Sequence, residues 1–185
     1  MPTDTFTNEE IDINSLPKYE EISLKKPHSN YWKIICINLI ITFLVIGITA
    51  TLLIFFNEKT QPHALIIVGI YLVVTIVTVL LFYVSFKKRG YAIRTKDVIY
   101  KSGIIAESTT IVPLNRIQHI ELNEGFFSRM FSLGSLQIFT AGGQTGHIHI
   151  AGIPINEAKS IRDLLLNKLE LLETPEIETK LKVNE

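Results

Sequence analysis

Two uncharged stretches constrain this chain more than anything else in it. Residues 34–56 and 64–86 are each 23 residues long, and neither contains a charged side chain. A bilayer's hydrocarbon core is about 30 Å thick and a helix rises about 1.5 Å per residue, so either run is long enough to cross it. In lipid each backbone N–H and C=O needs a partner within the protein, and a helix supplies one locally. A core helix of a soluble protein would instead carry a polar stripe at helical spacing, and neither run has one. The seven residues 57–63, polar and carrying Pro62, join the runs tightly. The pattern predicts a transmembrane helical hairpin.

Charge at its ends predicts an orientation. Lys25, Lys26 and Lys33 precede the first run and Lys87, Lys88 and Arg89 follow the second, whereas the joining turn holds only Glu58 and Lys59. Lysine and arginine accumulate on the cytoplasmic flanks, which places both termini in the cytoplasm of a multi-pass protein. Tyr31 and Trp32 stand where interfacial aromatic residues belong, so Tyr31, Trp32, Lys33, Lys87, Lys88 and Arg89 are the expected membrane anchors. The first apolar run starts too late and is too long for a cleaved signal. No acid or base lies within either run, which argues against a proton relay or an ion-coupled transporter. Asn38 is the most polar side chain there. Cys36, the single cysteine, cannot build a disulfide or a thiolate metal site within one chain.

The organisation that follows is a polar tail over 1–30, the hairpin over 31–88, a folded segment over 89–170 and a second polar tail over 171–185. The first tail lacks apolar periodicity and is expected to be disordered, as is the second. The chain's zero net charge hides a basic segment: residues 87–170 carry 11 basic and 7 acidic side chains. That excess favours lying close to an anionic leaflet and falls short of the clustered stripe of a nucleic-acid binder.

In the folded segment, short β-branched or aromatic runs at 91–94, 98–102, 109–113, 117–122, 136–141 and 147–151 alternate with turn-formers. These predict an antiparallel meander or small barrel, with Pro113 at an edge or bulge. Asn156 is the expected N-cap of a following amphipathic helix. Its apolar face is Ala158, Ile161, Leu164, Leu165 and Leu169. Such a helix beside a sheet closes its open end.

This outline is that of a pleckstrin-homology-like barrel, and three stretches make it more specific. They are Pro113-Leu114-Asn115-Arg116-Ile117-Gln118-His119-Ile120, then Gly125-Phe126-Phe127-Ser128-Arg129-Met130-Phe131-Ser132-Leu133-Gly134, then Thr140-Ala141-Gly142-Gly143. In them the chain resembles the bacterial PH-like (bPH, YdbS-type) two-helix membrane proteins, over residues 33–169. The resemblance implies a fold class, a membrane hairpin plus an α+β PH-like domain closed by a C-terminal helix, and a bacterial inner-membrane location. It implies little about activity, because fold does not fix function.

Candidate chemistry is sparse. His147 and His149 share a face by the two-residue period of a strand, and His119 lies on another strand, but no acid accompanies the pair in its strand and polar surface is the better account. Ser128, Ser132 and Ser135 lack a nucleophile elbow, and the glycine-rich 142–146 joins two strands instead of opening a helix. No enzyme activity, metal or cofactor is expected. Arg116 and Arg129, with Phe126, Phe127 and Phe131, are the candidate interface or lipid contacts. The competing account has Phe126, Phe127, Met130 and Phe131 plugging the barrel while the two arginines bond loop carbonyls or Glu121 and Glu124. The leading functional expectation is a non-enzymatic module that assembles with proteins, either a second copy or another PH-like membrane protein. The alternative is an anionic-lipid sensor linked to envelope stress or transport. Membrane lipids are expected neighbours and nucleic acid is not.

Overall fold

The computed structural model describes residues 22–141 and 147–183, with side chains as far as Leu169. The expected tail over 1–21 and the glycine-rich turn 142–146 lie outside the described residues. Helix α1 spans Ser29–Phe56 and α2 spans Ala64–Lys88, each uncharged and apolar throughout its membrane portion. The His28 imidazole caps α1 by accepting the Asn30 N–H at 3.2 Å. Thr49, Thr51 and Thr75 donate their hydroxyls to their own helices' carbonyls, so none is left unsatisfied in lipid. In the turn, the Thr60 hydroxyl lies within bonding distance of the Leu53 and Asn57 carbonyls, and a 3-10 turn at Gln61–His63 leads into α2. Between the spans, the Tyr71 hydroxyl donates to the Phe43 carbonyl at 2.9 Å and its ring rests over Gly47.

Six strands follow, each at a run anticipated from alternation. Strands β1 (Gly90–Ile93), β2 (Asp97–Ser102) and β3 (Ser108–Pro113) form one antiparallel sheet. Strands β4 (Ile117–Asn123), β5 (Leu133–Thr140) and β6 (Ile148–Pro154) form a second. A 3-10 turn at Leu114–Arg116 joins them. Pro113 closes β3, an edge strand, where its missing N–H breaks no ladder bond. Val98, Val112, Leu136, Ile138, Ile148, Ile150 and Ile153 from both sheets meet in one core. A fully buried residue of this kind contributes about 1.5–3 kcal/mol. Helix α4 (Ile155–Val183) closes that core with Ala158 and Leu165 fully buried and Ile161 and Leu169 partly so. The architecture is the expected PH-like one, resolved into two meanders under a single helix.

Three details differ from expectation. Leu164 turns outward, because the helix presents only a narrow stripe to the sheets. Asn156 lies inside α4 and does not cap it. The helix springs directly from β6, and Ile155 N–H donates to the Ser132 carbonyl at 3.0 Å in place of a side-chain cap. The backbone of α4 also continues to Val183, past the expected start of a tail at 171 and through Pro175.

The largest difference concerns residues 22–28, expected to belong to a tail. Lys25 exchanges both backbone bonds with Tyr91 of β1, at 2.8 and 2.9 Å, and the His28 N–H donates to Gly152 of β6 at 2.8 Å. The segment thereby ties an edge of one sheet to an edge of the other. Side chains reinforce it: Glu157 of α4 accepts from the Lys25 ammonium at 2.7 Å and from the Tyr91 hydroxyl at 3.0 Å. Burial, then the bond to Glu157, pushes the Tyr91 phenol well above its ordinary range.

Gly152 is the meeting point of hairpin and domain. Its φ of +79° suits glycine, and a β-carbon there would lie 2.6 Å from Tyr31 Cγ. Gly152→Ala therefore combines backbone strain with a clash, and is expected to lower stability by about 1–3 kcal/mol in a thermal melt of the detergent-solubilised chain. Lys25→Pro removes the N–H that donates to the Tyr91 carbonyl and is expected to cost about 1–2 kcal/mol. Lys25→Ala, which loses only an exposed ion pair, should cost about 0–1 kcal/mol. Equal melts for the two Lys25 variants would show that the backbone pairing contributes nothing.

Candidate interaction surfaces

Strand directions give the domain two ends. Strand β1 leaves α2 with one residue, Arg89, between them, so Gly90 marks the hairpin end. Gly90 pairs with Lys101, which puts the end of β2 and the β2–β3 turn back beside the spans. Strand β3 then runs away, β4 returns, and β6 returns again to Gly152 beneath Tyr31. The hairpin-distal end holds Thr95, Lys96, the Leu114–Arg116 turn and His147. It is tied together by Leu114 N–H donating to the Lys96 carbonyl and by Lys168 donating to the Thr95 carbonyl.

At the hairpin end the expected anchors pack against the protein itself. Tyr31 lies against Phe86 and Gly152, and Trp32 packs edge-on to Tyr83 with ring centroids 5.3 Å apart. Ile34 and Ile35 are buried, although both belong to the apolar run. The domain thus reaches as far as the first turn of the span. Lys87 lies over the Tyr83 ring, Lys33 over Phe131, and Arg89 is half-buried beside the sheet. Lys88 donates to the Ile104 carbonyl at 2.9 Å and pairs with Glu107 at 3.1 Å, while Lys101 pairs with the same carboxylate at 2.7 Å. These bonds pin the β2–β3 turn to the end of α2.

A short helix, α3 (Phe126–Met130), occupies the β4–β5 connection. Ser132, at φ 52°, ends it and turns the chain into β5. The aromatic plug of the competing account is not there. Phe126 is 76% exposed and Met130 68%, with only Phe127 and Phe131 half-buried, because a five-residue helix can bury one side alone. Arg129 and Arg116 are both exposed, and neither has an ion pair among the described residues. Glu121 lies instead by His119 at 3.4 Å. The two arginines stand at opposite ends of β4, whose seven residues span about 20 Å. Phe126, Phe127, Arg129 and Phe131 therefore gather at the hairpin end, and Arg116 belongs to the distal end. The candidate contacts do not form one site.

His119 and His147 flank the Phe139 ring, with centroids 5.7 and 5.0 Å from it, but the histidines do not converge as a site. His147 precedes β6, and its Nδ1 accepts the Thr140 N–H at 3.4 Å. His149 is exposed within β6. Among the described residues no three histidine, cysteine or acidic side chains converge as a metal group.

Sequence reasoning overlooked the β2–β3 turn, where Gly103, at φ +119°, bends the chain and Ile105 is 96% exposed. The signal was legible: Ile104-Ile105-Ala106 is an apolar triplet in a turn, where polar residues belong. Bonds from Lys101, then Lys88, hold the Glu107 carboxyl below its ordinary value. A depressed carboxylate stabilises the turn above its unfolded pKa, and that support is lost as pH falls through the lower folded value. NMR titration should place the Glu107 midpoint below that of a free glutamate, with Lys101→Met moving it back up.

The model of the bacterial PH domain family matches residues 34–169, which take in both apolar runs, both sheets and the packed portion of α4. The "UPF0699 transmembrane protein YdbS" of Bacillus subtilis (strain 168) is 30% identical over 96 residues, 51% of this chain and 58% of that protein. The aligned region thus spans less than two thirds of the relative. No solved structure matches. The staple formed by residues 22–28 falls outside the matched span. With two transmembrane helices leading into two three-stranded sheets and one closing helix, the chain belongs to the bacterial PH domain family.

Proposed function

We propose that the protein is a non-enzymatic, membrane-anchored module in the bacterial inner membrane, with both termini cytoplasmic. Its PH-like domain assembles with a second copy or with another PH-like membrane protein. The observation that carries this reading is the exposed apolar surface of α4. Leu164 and Leu166, 46% and 41% exposed, flank on either side the stripe of Ala158, Ile161, Leu165 and Leu169 that closes the core. The hairpin supports it by holding the domain at a fixed attitude: Gly152 against Tyr31, Lys88 against the β2–β3 turn, and residues 22–28 across both sheets. A domain held this way presents the same surface to each neighbour, which lowers the ordering cost of association.

The test uses the full chain in mild detergent, with its mass in solution measured alone and with a candidate PH-like membrane partner. Assembly is expected, and the double variant Leu164→Glu, Leu166→Glu is expected to weaken it at least tenfold, about 1.4 kcal/mol, without a change in melting temperature. A chain that stays monomeric alone and with every such partner overturns the reading. Arg129, exposed and free of ion pairs among the described residues, favours a second reading, recognition of anionic headgroups. That reading predicts that Arg129→Ala lowers the proportion of anionic lipid that co-purifies with the chain.

A further inference from the structure

Three exposed apolar side chains lie at the hairpin end of the domain, outside the core and outside the spans. Ile105 tops the β2–β3 turn at 96% exposure, and Phe126 and Met130 project from α3 at 76% and 68%. The turn is pinned to the end of α2 by Lys88, and α3 is followed directly by Phe131, whose ring lies 5.9 Å from the Lys33 ammonium at the start of α1. One apolar point therefore stands beside each span, at the level where that span enters the membrane. We infer that the domain seats on the bilayer through these two points, Ile105 beside α2 and Phe126 with Met130 beside α1, as well as hanging from the hairpin.

The geometry points to lipid as the occupant because the seat is continuous with a membrane already in place. Ile34 and Ile35 are buried, so the folded part of the chain rises to the start of the apolar run. The register Gly90 to Lys101 aims the β2–β3 turn back along α2 toward the bilayer. The chemistry also fits the boundary between headgroups and acyl chains: aliphatic and aromatic tips, with the exposed Arg129 close behind to reach phosphates. This seat is independent of the assembly proposed above, which uses α4. It also differs from headgroup recognition, because it depends on apolar insertion and not on anionic charge.

The full-length chain, reconstituted in neutral phosphatidylcholine nanodiscs on a Cys36→Ser background, tests this directly. An environment-sensitive fluorophore is attached in turn through Ile105→Cys, Met130→Cys and Lys96→Cys. All three positions are exposed, and Lys96 lies at the distal end as the control. The first two labels are expected to emit at shorter wavelength and to be quenched by spin-labelled lipid several-fold more than the third. The third should be quenched instead by iodide from solution. Quenching at only one of the two positions, or equal exposure of all three to iodide, overturns the two-point seat. Lipid quenching that appears only when anionic lipid is added also overturns it, in favour of headgroup recognition. Protection of both labels from iodide without lipid quenching overturns it in favour of a protein partner.

Discussion

The whole structure depends on how little chain separates the membrane from the domain. Helix α2 ends at Lys88 and β1 begins at Gly90. On the other side α1 begins at Ser29, one residue after His28 has already bonded to β6. With no linker on either side, the spans and the sheets must be built to one another's geometry. Gly152 shows the consequence at atomic scale. Only a residue without a β-carbon lets Tyr31 lie on the strand, and the aromatic contacts from Tyr31 and Trp32 to Tyr83 and Phe86 continue that packing between the helices.

The same closeness explains why Lys33, Lys87 and Lys88, near the boundary, are each tied to a neighbouring group. Lys88 reaches a carbonyl and a carboxylate of the β2–β3 turn, and Lys33 and Lys87 lie over aromatic rings. Basic residues that simple counting assigns to lipid headgroups thus also hold the domain in place. A side chain with a long apolar stem and a charged tip can serve both surroundings at once.

Much of this was legible in the sequence, for physical reasons. The spans declare themselves because lipid admits no charged side chain without cost, and the strands because alternation such as His147-Ile148-His149-Ile150 has one meaning on a sheet. The motif runs around Arg116, Phe126–Met130 and Gly134 identified the family as well. What was not legible depends on three-dimensional company. Residues 22–28 carry no alternation because they contribute backbone bonds at single points, Lys25 and His28, instead of a strand. The exposure of Phe126 and Met130 could not be read from their apolar character, since phenylalanine in a loop is ordinarily buried. Leu164 sits on the apolar side of a helical wheel yet misses the core, because two small sheets cover only a narrow stripe of α4.

The segment that binds Tyr91 and Gly152 precedes the hairpin in the chain, while both of its partners follow it. Those bonds can form only when the two flanks of the hairpin emerge on the same face of the bilayer. A chain with one span inserted, or with its spans out of register with the membrane, would leave the edges of both sheets open and Glu157 without Lys25. The domain's own completeness therefore reports on whether the hairpin has been threaded correctly. An incorrectly inserted copy would expose unpaired strand edges of the kind that aggregate or attract proteolysis.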